Sequence, residues 1–125
     1  MTVILIALGG ACGSVARYLS MALAGRFFGA HNLALGTMAV NVLGSLLMGV
    51  AFVVLIERAG PSARAPLVMA GFLGGFTTFS AFSLDAFRLY EAGRVAAAAG
   101  YVAGSVFVSI AALIAGISIA RAVFA

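Results

Sequence analysis

Charged residues are sparse along the chain, and they leave four long apolar stretches between them. Residues 1–16 carry no charged side chain, and the apolar character continues to about Phe28 with only Arg17 and Arg26 inside it. Gly29, His31 and Asn32 then mark a short turn. Leu33–Ile56 is uncharged, and Glu57–Arg64, which holds Gly60-Pro61 and two Arg, reads as a loop. Ala65–Leu84 is again uncharged before Asp85, Arg88, Glu91 and Arg94 mark an exit. Val95–Ala120 is the last apolar run, closed by Arg121. Each stretch reaches the roughly 20 residues a membrane helix needs. The pattern predicts one all-α membrane domain with spans at 2–28, 33–56, 65–90 and 95–121, and no repeat or low-complexity tract.

Composition narrows the class. Of 125 residues 65% are hydrophobic and 8% charged, with mean hydropathy +1.25. Soluble domains run about 45–50% apolar and about 25% charged, so a soluble globular domain is excluded, as is disorder. The length leaves no room for a nucleotide-binding domain or a soluble sensor beside four spans. A net charge of +4 and a pI near 10.3 would point to nucleic acid in a soluble protein. Here all seven basic residues are Arg, scattered near span ends, which is the ordinary membrane pattern; no nucleic-acid partner is expected. Ala22-Leu23-Ala24 has the look of a cleavage site, but no basic segment precedes the apolar stretch, which is too long for a signal, so a retained first helix is expected. Cys12 reads as a small core residue.

The arginines also bear on orientation. With the N-terminus on side A, Arg58, Arg64 and Arg121 fall on side A, while Arg26, Arg88 and Arg94 fall on side B. Orientation follows the Lys/Arg imbalance, and here the sides balance. The expectation is a chain that inserts both ways, so that two copies assemble about a two-fold axis in the membrane plane, as inverted repeats do within one chain.

Candidate chemistry lies among uncharged polar groups. No Ser-His-Asp set, metal-ligand cluster or phosphate-binding glycine loop is present, and the only acid bordering a span interior is Asp85, so an enzyme is not expected. In the third stretch Gly71, Gly74 and Gly75 precede Phe76-Thr77-Thr78-Phe79-Ser80. Glycine and β-branched threonine weaken a helix. Two readings stand: a helix broken in mid-membrane, of the kind that binds ions, or close packing through Gly71-x-x-x-Gly75. Similar spacings occur at Gly9/Gly13, Ser45/Gly49 and Gly100/Gly104. Asn41 sits mid-span with Ser45 one turn on, and Tyr101, Ser105 and Ser109 form a stripe about 12 Å long; Ser80 and Ser83 add hydroxyls. Helix–helix hydrogen bonding explains such groups, and so does a line of neutral donors for a small, strongly hydrated anion. Phe79 and Phe82 are core aromatics or rings presenting positive edges to an anion. Arg17 either faces a water-filled vestibule or snorkels to the headgroups.

Three motifs carry a resemblance running essentially end to end. They are Gly9-Gly10-x-x-Gly13 continuing to Arg17-Tyr18; Gly36-Thr37-x-x-Val40-Asn41-x-x-Gly44; and Gly71-Phe72-x-Gly74-Gly75-Phe76-Thr77-Thr78-Phe79-Ser80-x-Phe82-Ser83. On these the chain closely resembles the Fluc or CrcB fluoride channel family. The resemblance implies an antiparallel, dual-topology homodimer with two fluoride pathways built from both subunits. It implies Asn41 as a polar pore residue, Phe79 and Phe82 as pore rings, and Tyr101, Ser105 and Ser109 as a polar track. It also implies a structural Na⁺ at the dimer centre, held by backbone carbonyls of Gly74 and Thr77. Arg17 matches the family arginine, with a vestibule or a structural role. Ala81 departs from a common Thr, and Ser14 and Ala16 also depart. The expected activity is passive fluoride export across a prokaryotic inner membrane. The competing reading, a dual-topology proton-coupled multidrug exporter, wants a glutamate in its first helix, and residues 1–28 contain no acid. A third reading is a helical scaffold that transports nothing.

Overall fold

In a computed structural model, which describes residues 1–125, the chain is all-helical with no strand. Helix α1 spans Thr2–Phe28, and a single 3-10 turn at Ala30–Asn32 leads into α2, Leu33–Phe52. A π-helical stretch, Val53–Arg58, extends α2 to its end. The third span starts as another π-helical stretch, Pro66–Leu73, and continues through one α-helical turn, Gly74–Phe76; together these form α3. Helix α4 covers Phe79–Glu91 and α5 covers Val95–Val123. Four helical segments, Thr2–Phe28, Ala30–Arg58, Pro66–Glu91 and Val95–Val123, are long and apolar enough to cross a membrane. The turn into α5 is sharp because Gly93 takes φ 75°, which lets its N–H reach Tyr90 O and that of Arg94 reach Leu89 O. This glycine-terminated geometry satisfies the last carbonyls of α4.

Short connections make neighbouring spans antiparallel, so α2 and α5 run in the same direction. The strongest packing is between α2 and α5, and between α1 and α3. Glycines cause both contacts. A methyl group on Gly13 would lie 2.0 Å from Phe72 O, and one on Gly9 would lie 2.2 Å from Leu67 O. Gly71 and Gly75 press back on the α1 backbone at Ile6 O and Gly10 O. Across the other pair, Gly49 meets the carbonyl of Leu113, and Gly116 that of Leu46. Backbones that approach this closely gain dispersion contacts, which matter in lipid because lipid offers no hydrophobic drive for helix association. Gly100 behaves differently from its sequence pattern, with nothing within 4 Å of an added methyl, and Gly104 meets only the Met38 side chain at 3.5 Å.

Only 18 of the 125 residues are buried, so most apolar side chains of one chain point outward to lipid or to another protein. Cys12 is among the exposed residues, which corrects the expectation of a core position. On side A, Arg121 and Glu57 form a two-pronged ion pair, with Arg121 Nε donating to Glu57 Oε2 at 3.1 Å. The pair joins the end of α5 to the end of the α2 extension. Being solvent-exposed, it contributes little stability.

Candidate functional site: a groove beside the third span

The third span leaves helical geometry at two residues. Thr77 (φ −83°, ψ 158°) and Thr78 (φ −151°, ψ 122°) are extended, between helical Gly74–Phe76 and helical Phe79–Glu91. Extended residues leave helical N–H and C=O groups without their usual partners, an expense of several kcal/mol each in an apolar medium. Asn41 supplies the replacement. Its Nδ2 donates to Thr78 O at 2.9 Å, and its Oδ1 accepts from Thr78 N at 2.8 Å. One side-chain amide thus pairs with one peptide as a neighbouring strand would. Thr78 Oγ1 accepts from Ala81 N at 3.2 Å, so the same residue caps the start of α4. The room for this arrangement comes from Gly44, whose added methyl would sit 2.2 Å from Thr77 Cγ2.

Beside Thr77 and Thr78 lies a cavity of about 330 Å³ between α2, α4 and α5. Asn41, Ser45, Phe79, Phe82, Ser105 and Ser109 all line it. Ser105 is 5% exposed, and its Oγ has no hydrogen-bond partner. A buried hydroxyl without a partner is costly and marks a place where a ligand or water accepts. The two phenylalanines differ sharply. Phe82 is buried at 8% exposure, whereas Phe79 is 78% exposed and projects from this chain. Their ring centroids are 5.4 Å apart and tilted by 50°.

A second cavity, of about 480 Å³, lies on the side-B flank of Thr78, lined by Ser14, Arg17, Thr37, Ser80 and Ala81 among others. Thr78 lines both cavities. Arg17 therefore faces a recess shared with hydroxyls. Ala81, where the resemblance anticipates a hydroxyl, lines it too.

Not every expected site residue reaches the main groove. Ser80 lines the second cavity, with its hydroxyl 3.3 Å from that of Thr78. Ser83 lines neither cavity and donates to Phe79 O of its own helix at 2.9 Å. Tyr101 also lines neither. Its hydroxyl donates to Asp85 Oδ2 at 3.3 Å, and its ring packs 5.4 Å from that of Phe82. Thr37, 1% exposed, donates to the same carboxylate oxygen at 2.7 Å. Asp85 is thereby anchored by two hydroxyls, a role for this acid that sequence reasoning did not assign. A polar residue at the helical spacing of Thr37 and Asn41 was the available signal. Ser45, noted only as a neighbour of Asn41, joins the groove.

Gly74 and Thr77 are the candidate cation ligands. Thr78 N, which in a continuous helix would donate to Gly74 O, donates to Asn41 instead, and Gly74 is exposed. A carbonyl freed from its helix on an exposed surface is a hard oxygen donor, the kind a hard cation takes. The donor chemistry fits. No cluster of three or more His, Cys, Asp or Glu side chains offers an alternative metal site.

The fold and the groove define a class: a small four-span membrane protein with a groove containing uncharged polar groups beside the two non-helical residues of its third span. A model of the family described as CrcB-like protein, Camphor Resistance (CrcB), matches residues 4–117. A protein named fluoride-specific ion channel FluC from Paracoccus denitrificans is 50% identical over 124 residues, covering 99% of this chain and 98% of the relative. A protein of the same name from Cereibacter sphaeroides is 53% identical over 116 residues, covering 93% and 91%. One from Nitrobacter winogradskyi is 46% identical over 122 residues, covering 97% and 96%. The chain belongs to the CrcB family, and it is a multi-pass membrane protein.

Proposed function

We propose that the protein is a fluoride-selective channel, not an enzyme, that lets fluoride leave the cytoplasm passively across the inner membrane of a prokaryote. The observation that carries this reading is the groove. In a chain whose relatives are named fluoride-specific ion channels, the groove is lined by hydroxyls and an amide and by no ionisable group. Fluoride is small and strongly hydrated. Neutral donors replace its lost water without trapping it, since channel conduction needs sites favourable enough to enter and weak enough to leave. Ser105, buried with a free Oγ, is the donor best placed to do so, with Ser109 one turn further. Phe79 and Phe82 bring ring edges of positive character to the same groove. Arg17 attracts anions into the second cavity before they reach Thr78.

One chain leaves its groove open on one side, where Phe79 is too exposed to be a finished wall. We read the working unit as an antiparallel dimer in which an inverted copy closes each groove, giving two pathways. Balanced arginines support that arrangement, because they give the chain no preferred orientation. The freed carbonyls of Gly74 and Thr77 would hold a Na⁺ together with their counterparts in the copy. That ion would supply fixed positive charge and tie the discontinuous spans together. The chain's own share of that work is done by Asn41, which holds the Thr78 peptide extended.

A multidrug exporter of similar size would couple transport to a titrating acid. Asp85 is held between Thr37 and Tyr101 rather than presented to the groove. The test is efflux from liposomes loaded with fluoride, started by valinomycin under a K⁺ gradient and followed with a fluoride electrode. Fluoride leaves rapidly and only after valinomycin, because the current must be balanced, while chloride stays. Efflux without valinomycin, or equal chloride efflux, would count against the channel.

A further inference from the structure

Helix α4 begins in the middle of the third span, and two N–H groups of its first turn have no protein partner. The first four N–H groups of a helix lack an intrahelical acceptor. In α4 they belong to the cap residue Thr78 and to Phe79, Ser80 and Ala81. Asn41 Oδ1 accepts from Thr78 N, and Thr78 Oγ1 accepts from Ala81 N. No turn, cap or side-chain acceptor serves Phe79 N or Ser80 N. In a continuous helix these two would donate to Gly75 O and Phe76 O. The extended residues Thr77 and Thr78 detach them from that preceding turn. Unsatisfied donors away from water are costly.

The surroundings say what would satisfy them. Helix N–H groups point along the axis towards the helix start, where partial positive charge gathers. That start lies between the two cavities: Phe79 lines the groove, Ser80 lines the second cavity, and Thr78 lines both. No acid lines either cavity. The facing helix adds an independent sign of a ligand. Helices α4 and α5 are antiparallel, and the Phe82 ring packs 5.4 Å from that of Tyr101. One helical turn towards mid-membrane from each of these leads to Thr78 and Phe79 on α4 and to Ser105 on α5, at similar depth. Ser105 is 5% exposed, its Oγ has no partner, and it lines the groove with Thr78 and Phe79. A free buried hydroxyl thus stands across the groove from two free amides. Amide N–H groups only donate, so the ligand they share with Ser105 is an acceptor.

We infer that the start of α4 is a backbone anion site, where the N–H groups of Phe79 and Ser80 bind a fluoride ion that Ser105 contacts from the facing wall, and pass it between the groove and the second cavity. Backbone amides suit this step. They are uncharged, so they do not trap the ion, and the helix dipole adds to their pull. Asn41 fixes the Thr78 peptide, so the amides that follow it are already in place when the ion arrives. The contribution of Phe79 is then twofold, through its ring and through its own peptide nitrogen.

This inference rests on the fluoride-channel reading, so unmodified protein is measured alongside every modified chain. Replacing an amide by an ester removes one N–H and keeps the side chain. Phenyllactic acid is installed in place of Phe79 and, as a control, in place of Phe87 in the interior of α4, where the N–H is held by the helix. Both esters weaken the preceding carbonyl equally. Lactic acid in place of Ser80 is compared with Ser80→Ala, from which it differs only by the N–H. Each protein is assayed by electrode-monitored efflux at several fluoride concentrations and by its thermal midpoint in detergent. Loss of one hydrogen bond to a charged partner predicts that the Phe79 ester slows low-concentration efflux about tenfold and raises the half-saturating concentration. The lactic acid chain shows the same change relative to Ser80→Ala. The Phe87 ester lowers the midpoint and keeps the half-saturating concentration of unmodified protein. A Phe79 ester with unmodified efflux and half-saturation overturns the inference. So does equal impairment of the Phe87 ester, which would assign the loss to a weakened helix. If the Phe79 ester does not fold, the pair at position 80 decides alone, and a lactic acid chain within about threefold of Ser80→Ala overturns the inference. Unmodified protein that passes no fluoride overturns the functional reading itself, a result separate from any behaviour of the esters.

Discussion

At the scale of single residues, Asn41 is the clearest case of one side chain serving two ends. Its amide holds both the N–H and the C=O of Thr78, and it also lines the groove. Asn41→Ala removes both partners at once and leaves two part-buried backbone groups unmatched, at about 1–3 kcal/mol each. The variant should lose about 2 kcal/mol or more of stability, read as a lower thermal midpoint in detergent, and its fluoride efflux should fall with it. An unchanged midpoint would show that the Thr78 peptide finds other partners. The sequence made Asn41 conspicuous as an amide in an apolar span. It did not show the amide's partner, because that contact joins residues 37 positions apart and depends on Thr77 and Thr78 being extended. Ser83 and Tyr101 look equivalent to Ser105 in a sequence pattern. Only the structure separates hydroxyls already committed, to Phe79 O and Asp85, from one left free.

At the scale of elements, the small-residue spacings divide into those that touch and those that do not. Gly9, Gly13, Gly71 and Gly75 seat α1 on α3, and Gly49 seats α2 on α5, partnered by Gly116, which the spacing pattern did not single out. The period of small residues was legible from the chain, but the identity of the opposing helix was not, since any span can meet any other. Gly100 and Gly104 carry the same spacing on a part of α5 where the chain offers no backbone to meet. The contrast makes a paired prediction. Gly13→Ala drives a methyl into Phe72 O and must push α1 away from α3, so it should abolish recovery of monodisperse protein. Gly100→Ala meets nothing in the chain and replaces a poor helix former, so the single chain predicts a gain of about 0.5–1 kcal/mol. A loss of stability in Gly100→Ala would instead locate a second protein against that face. The four spans themselves were readable because charge and turn residues bound them. The π-helical stretches at Val53–Arg58 and Pro66–Leu73 were not, since their apolar sequences fit an ordinary helix equally well.

At the scale of the whole molecule, one chain leaves its groove open and most of its apolar side chains outward, and the proposed remedy is an inverted copy. That proposal makes orientation a functional variable. Three arginines flank the spans on each side, so a small added charge should decide the matter. Ala59 and Ala63 are exposed in the side-A loop, and Ala30 and Ala92 are exposed on side B. Ala59→Lys with Ala63→Lys biases every chain to keep side A in the cytoplasm, and Ala30→Lys with Ala92→Lys biases every chain the other way. Neither pair touches the groove. If the working unit is antiparallel, each doubly substituted protein expressed alone lacks partners of opposite orientation, and cells carrying it should be as fluoride-sensitive as cells with no channel. Expressed together, the two should restore resistance, because each supplies the orientation the other lacks. A parallel or monomeric channel predicts the opposite: each variant works alone, and co-expression adds nothing. The readout is growth on graded fluoride, with orientation checked by membrane-impermeant labelling of Pro61→Cys, an exposed position of the side-A loop, in a Cys12→Ala background. That background is required because Cys12 lies exposed on α1 and would itself take the label wherever it meets water.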